Sequence, residues 1–134
     1  MKEFRLQFLC ADEKEYDGPC VSVNFPLEDG YMGILADHAN MIAIMETGAL
    51  FINTGEETVE YAVTEGLVEV KDGEVLIMAF SAEKPEEIDE NRAKEAAMRA
   101  RMRMKRKMSN LEFRQNQAAL SRAMARLKVI KGRH

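Results

Sequence analysis

The chain changes character at Pro85, and this break constrains its fold more than any other feature. Before it, apolar residues recur with a period of two; after it, they recur at helical spacing. Seven of the eight glycines precede the break, the exception being Gly132. Alternation marks strands buried on one face, because successive side chains of a strand point to opposite sides. Phe4, Leu6, Phe8 and Cys10 alternate with Arg5, Gln7 and Leu9. Val21, Val23 and Phe25 repeat the pattern, as do Val59, Tyr61 and Val63. Leu67-Val68-Glu69-Val70 and Val75-Leu76-Ile77-Met78-Ala79-Phe80 are further β-rich runs. Turn signals separate them at Asp17-Gly18-Pro19, Asp29-Gly30, Asn53-Thr54-Gly55 and Asp72-Gly73. The last pair is the strongest hairpin signal in the chain. Many short strands at this spacing predict an antiparallel sandwich or barrel over residues 1–84; the period alone does not choose between the two.

Residues 85–134 read instead as two helices. They are rich in Ala, Met, Arg, Lys and Glu, which are good helix formers. Asp89 is placed to cap a first helix, with Glu86, Glu87 and Glu90 at the end where the helix dipole favours negative charge. Ala93, Ala97, Ala100, Met104 and Met108 then form a stripe. Ser109-Asn110-Leu111-Glu112 has the form of a capping box and predicts the start of a second helix, whose stripe includes Ala119, Ala123, Leu127 and Ile130. Two helices of about 17–20 residues, each about 25–30 Å long at ~1.5 Å per residue, make an antiparallel hairpin. Alanine faces let helices approach closely but bury little area, so at ~25 cal/mol per Å² the hairpin is weakly held. A weakly held element can detach or be captured by a partner.

Charge divides at the same place. Residues 1–84 carry a net −12 and residues 85–134 a net +8, which implies two modules with different surfaces. A hydrophobic fraction of 46% excludes a disordered chain. No apolar run approaches the ~18 residues of a membrane-spanning helix. The opening MKEFRLQF lacks the layout of a secretory signal, so export by the usual route is not expected. Cys10 and Cys20 read as buried thiols, with a disulfide between them the other reading. With His38 and His134 the only histidines, no metal site is expected. No phosphate-binding glycine loop, nucleophile elbow or other catalytic constellation is present.

The basic run from Arg99 to Lys107 wraps its helix, and Phe113 is the only aromatic residue in the basic half, so nucleic acid is not an expected partner. A second set is better organised. Arg122 and Arg126 share a face of the second helix, and Arg92 and Arg99 share a face of the first. In an antiparallel hairpin the four could converge on an anion such as phosphate, which guanidinium binds through paired hydrogen bonds. Alternatively they point outward separately, or await an acidic protein surface.

Three segments in order resemble one family. Glu28-Asp29-Gly30-Tyr31-Met32-Gly33-Ile34-Leu35-Ala36-Asp37-His38 resembles the glycine-rich turn and Gly-Ile-Leu-Pro-x-His signature of epsilon subunits of bacterial rotary F-type ATP synthases. Ile88-Asp89-Glu90-Asn91-Arg92-Ala93 matches that family's Ile-Asp-x-x-Arg-Ala motif, and residues 118–130 resemble its C-terminal pattern. The resemblance spans essentially the whole chain. It departs at Ala36 and Asn40, where family members usually carry proline.

The resemblance implies a β-sandwich of about ten strands, residues 1–84, followed by a regulatory helical hairpin, residues 85–134. It implies a non-catalytic rotor subunit, peripheral on the cytoplasmic face of the membrane, with the gamma subunit, the ring of c subunits and the alpha/beta catalytic subunits as partners. Residues 29–33 would face the ring and the region of His38 would face gamma. Arg122, Arg126, Lys128, Lys131 and Arg133 of an extended hairpin would meet an acidic segment of beta and inhibit ATP hydrolysis. No cofactor is required. ATP, with or without magnesium, enters as a regulatory ligand of the folded hairpin at Glu83, Ile88, Asp89, Arg92, Ala93, Arg99, Arg122 and Arg126. The competing reading is a free-standing nucleotide-sensing module.

Overall fold

The computed structural model describes residues 2–11 and 13–131. Ten strands come first: β1 Phe4–Cys10, β2 Glu13–Cys20, β3 Ser22–Leu27, β4 Gly30–Leu35, β5 Met41–Met45, β6 Gly48–Asn53, β7 Thr58–Val63, β8 Gly66–Lys71, β9 Glu74–Ala79 and β10 Ala82–Glu83. A 3-10 turn at Pro85–Glu87 leads into α1, Glu90–Met104, and α2, Asn110–Lys131. The strands form two five-stranded sheets, in the orders β2-β1-β9-β8-β5 and β10-β7-β6-β3-β4. Every pairing is antiparallel except that of β1 with β9.

The expected alternation fills the space between the sheets. Phe4, Leu6 and Phe8 of β1 meet Val75 and Ile77 of β9, Val68 and Val70 of β8, and Val23, Phe25, Ile52, Tyr61 and Val63 of the other sheet. The Phe8 and Tyr61 rings meet edge to face with centroids 5.0 Å apart. Asp72 and Gly73 both have positive φ, 52° and 82°, the conformation that a two-residue hairpin requires. Cys10 and Cys20 are both free thiols.

Asp17-Gly18-Pro19 departs from the turn expected of it. These residues lie inside β2, opposite Gln7, Leu6 and Arg5. β2 is an edge strand, where a proline lacking an N–H interrupts no ladder. Arg5 holds it from the neighbouring strand, with the guanidinium 3.2 Å from the Asp17 carboxylate.

The helices begin at their caps. The Asp89 carboxylate accepts from Arg92 N–H at 3.1 Å, and the Ser109 hydroxyl accepts from Glu112 N–H at 3.2 Å. α1 turns Ala93, Ala97 and Ala100 inward along α2, where Ala123 is fully buried. α2 has a second buried face that the stripe Ala119, Ala123, Leu127 and Ile130 did not include. Ala125 and Val129 rest on Ala49 of β6 and Ala62 of β7, with Phe51 and Ile88 at the margin. This seat explains why Tyr61, Ala62 and Val63 are all buried: β7 faces the core on one side and α2 on the other.

Candidate functional site

Where the hairpin meets the last strand, an open cavity of about 260 Å³ is lined by Glu83, Glu87, Asp89, Arg92, Ala93, Ala96, Arg99 and Arg126. Four separate pieces build it. Strand β10 supplies Glu83, the 3-10 turn Glu87, the cap and inner face of α1 Asp89, Arg92, Ala93 and Arg99, and α2 Arg126. Six of the eight residues singled out from sequence therefore lie around one cavity. Ile88 packs instead on the seat of α2. Arg122 lines a small adjoining cleft with Thr64, Ser81, Ala125, Glu83 and Arg126. Arg133 lies outside the described residues.

The arginines differ in what already holds them. Arg126 grips Glu83 through two of its nitrogens, at 2.8 and 2.7 Å from one carboxylate oxygen. Arg99 is 3.9 Å from Glu95 on its own helix. Arg92 and Arg122 have no carboxylate within 4.0 Å among the described residues. One side of the cavity thus presents guanidinium donors without a fixed acceptor, a chemistry suited to a phosphorylated or carboxylated small molecule. The alanines Ala93 and Ala96 leave room beside them for a flat group. The volume lies just under the ~300–1,000 Å³ common for small-ligand sites, so a nucleotide held here would stay partly in solvent. Glu87 is a lining residue that the sequence reading passed over; it was read only as a charge near the helix start. Among the described residues no cluster of three or more His, Cys, Asp or Glu side chains is placed to hold a metal ion.

A second feature lies on the opposite side of the sandwich. On the outer face of the β2-β1-β9-β8-β5 sheet, Leu9, Met78, Leu67 and Ile44 stand directly beside one another across four strands. Ile42 and Ile44 are 73% and 66% exposed, and Phe80 beyond the row is 81% exposed. A contiguous apolar row on an open sheet face marks an interaction surface. Its signal in the sequence was the lack of alternation in Met41-Ile42-Ala43-Ile44-Met45 and in residues 75–80, strands that are apolar on both faces while covered by the core on only one. The nearby loop carries the two departures from proline. Ala36 packs against the core, and the Asn40 side chain accepts from Asp72 N–H at 2.9 Å, tying the loop to the β8–β9 turn. His38 is half-buried, with its Nδ1 2.8 Å from Ala39 O.

No described helix is long and apolar enough to cross a membrane. The family described as ATP synthase, Delta/Epsilon chain, beta-sandwich domain matches residues 3–85, and its long alpha-helix domain matches residues 86–131. An ATP synthase epsilon chain of Ruminiclostridium cellulolyticum is 43% identical over 127 residues, covering 95% of each chain. One from Bacillus cytotoxicus is 35% identical over 129 residues, covering 96% of this chain and 97% of its own. Among solved structures, a chain of the Euglena gracilis mitochondrial ATP synthase (OSCP/F1/c-ring) superposes with a TM-score of 0.82 at 23% identity, over 97% of this chain and 80% of that one. A chain of the Tetrahymena thermophila mitochondrial ATP synthase (central stalk/c-ring) superposes with a TM-score of 0.69 at 12% identity, over 96% of this chain and 97% of that one. At such identity these two speak for the fold alone. With both of its domains matched and relatives aligned over nearly their full length, the chain belongs to the ATP synthase delta/epsilon chain family, among the bacterial epsilon chains.

Proposed function

We propose that this chain is a non-catalytic rotor subunit of an F-type ATP synthase, coupling the gamma subunit to the membrane ring of c subunits. The observation that carries this reading is the apolar row Leu9-Met78-Leu67-Ile44 with Ile42 and Phe80. A free-standing nucleotide sensor would leave this surface in water, whereas a stalk subunit covers it with gamma. In this reading residues 29–33 face the ring, and the chain sits peripherally on the cytoplasmic face of the membrane. Similarity to bacterial ATP synthase epsilon chains over nearly the full length of each supports a place in that complex. The test is stoichiometric association with gamma in a purified mixture. Ile44→Asp sets a charge at the edge-strand end of the exposed row without disturbing the core, and abolishes the complex. Failure of the parent chain to bind gamma would sink the reading.

The hairpin is the regulatory part, in two alternative positions. Docked, its cavity binds ATP through Arg92, Arg99, Arg126 and the adjoining Arg122, with Asp89, Ala93 and Glu83 shaping the site and Ile88 anchoring the turn beside it on the seat of α2. Magnesium arrives on the phosphates and needs no protein cage. Released, Arg122, Arg126, Lys128 and Lys131 become available to an acidic surface of the catalytic subunits and restrain hydrolysis. The docked position is supported by the cavity and by the free guanidiniums of Arg92 and Arg122. Titration with ATP and magnesium, followed by amide NMR, shifts signals of both helices around Asp89, Arg92 and Arg126. Unmoved spectra at several millimolar ATP end the nucleotide half of the reading and leave the rotor half standing.

A further inference from the structure

We infer that the state of the hairpin is transmitted to the turn at residues 29–33 through a latch between Lys128 and Tyr31. Tyr31 stands near the start of β4, directly after Gly30 of that turn. The Lys128 ammonium donates to its hydroxyl at 2.8 Å and lies 4.0 Å from its ring centroid. One cation therefore engages both the polar tip and the π face of the same side chain. The hydroxyl also accepts from Ala49 N–H at 3.4 Å, and the ring tilts against Phe51 with centroids 6.2 Å apart. Ala49 belongs to the seat on which α2 rests, and Phe51 packs at its margin. Tyr31 is thus continuous with the docking surface of the helix while belonging to the turn.

The latch has two states for a simple geometric reason. Lys128 precedes Val129, which is fully buried in the seat. The ammonium holds Tyr31 only while α2 is docked. When α2 leaves, the tyrosine loses its cation and its strongest hydrogen-bond donor, and a ring already 43% exposed loses its cover. The surface offered beside the turn then changes from a cation-capped tyrosine to a free one. The consequence for the ring rests on the reading that residues 29–33 face it. By thermodynamic reciprocity, a ring contact that prefers the free tyrosine favours the released hairpin, and one that prefers the capped tyrosine holds the hairpin down.

The test uses the full chain alone, so its outcome is independent of gamma, ring or nucleotide binding. The chain has three tyrosines, and 3-fluorotyrosine labelling gives three 19F signals, with Tyr31 assigned by Tyr31→Phe. Lys128→Met keeps the side-chain length and removes the charge. It displaces the Tyr31 signal and speeds amide exchange of α2 about fivefold, the equivalent of one exposed cation–π contact of about 1 kcal/mol. Ala125→Asp places a carboxylate in the seat about one turn before Lys128 and releases the helix. It too moves the Tyr31 signal away from its parent position, by the loss of both cation and cover, while the buried Tyr61 signal reports that the sandwich is intact. A Tyr31 signal unmoved by Lys128→Met overturns the latch. A signal moved by Lys128→Met but not by Ala125→Asp, in a chain whose α2 amides exchange freely, overturns the transmission.

Discussion

Val129→Ala tests whether the hairpin is held as weakly as its composition implies. Among the described residues the sandwich core has 17 buried apolar side chains, whereas the seat of α2 has four, three of them alanines. Val129 is the one larger side chain in that seat and is fully buried. Truncation removes two methyl groups at ~0.8 kcal/mol each, about 1.6 kcal/mol. A residual void of roughly 40 Å³ among rigid alanine neighbours adds about 1 kcal/mol. At ~1.4 kcal/mol per tenfold, the docked-to-released ratio falls roughly fifteen- to eightyfold. Amide hydrogen exchange read by mass spectrometry shows α2 and α1 accelerating by that factor, while β1, β8 and β9 keep their rates. Val68→Ala in the sandwich core is the contrast, because it accelerates the strands, which exchange by opening of the sandwich, and leaves the helices, which exchange by release from the seat, at the parent rate. Unchanged α2 exchange in Val129→Ala refutes the reasoning, and so does a parallel acceleration of the sandwich strands, which would make hairpin and sandwich one cooperative unit.

Other perturbations separate roles that the structure superimposes. Asp89→Asn keeps an N-cap acceptor but removes the charge, so helicity by circular dichroism stays level while ATP affinity drops about tenfold, a charged hydrogen bond being worth about 1.5 kcal/mol. Equal affinity in the variant makes Asp89 a cap alone. Gly66→Ala puts a Cβ 1.9 Å from Met78 O and 2.9 Å from Ala79 Cα. These are backbone atoms of the paired strand, so urea denaturation shows a loss of about 3 kcal/mol or more. Glu60 lies beside Phe51 under the hairpin with Oε2 buried and unpartnered among the described residues, and burial raises its pKa above the ordinary 4.5. The folded state then binds this proton more tightly than the unfolded chain, so stability falls as pH rises from about 4.5 through the raised value. Glu60→Gln is accordingly more thermostable than the parent at pH 8, and the gap closes at pH 4.

What the sequence made legible is what has a period. Phe4, Leu6 and Phe8 of β1, Val23 and Phe25 of β3, Tyr61 and Val63 of β7 and the caps Asp89 and Ser109 follow from local rules and stand as expected. The misread segment, Asp17-Gly18-Pro19, has the composition of a turn, but an edge position removes the cost that would otherwise bar proline from a strand. Ala49, Ala62 and Ala125 carry no signal, because a small residue that lets a helix approach a sheet looks the same in a sequence as one that fills nothing. Their meaning is a tertiary juxtaposition, as is the convergence of Arg92, Arg99 and Arg126 from two helices on one cavity. Glu87 was hidden by a simpler explanation, the charge preference of a helix start.

The charge split reads differently once the seat is known. An acidic sandwich beneath a basic hairpin invites the view that opposite charge holds them together, yet beyond ~10 Å such attraction is largely screened at ordinary salt. The docked position depends instead on short contacts of different kinds: the alanine and valine seat, Arg126 on Glu83 at 2.7 Å, and Lys128 on Tyr31 at 2.8 Å. The two polar contacts lie one helical turn or less from the seat, so they form and break with it. Both use cations that an acidic partner could also take. In the proposed released state Arg126 and Lys128 would exchange one set of partners for another. A seat built from larger side chains would dock the helix more firmly and would put that exchange beyond the reach of a ligand or a neighbouring surface.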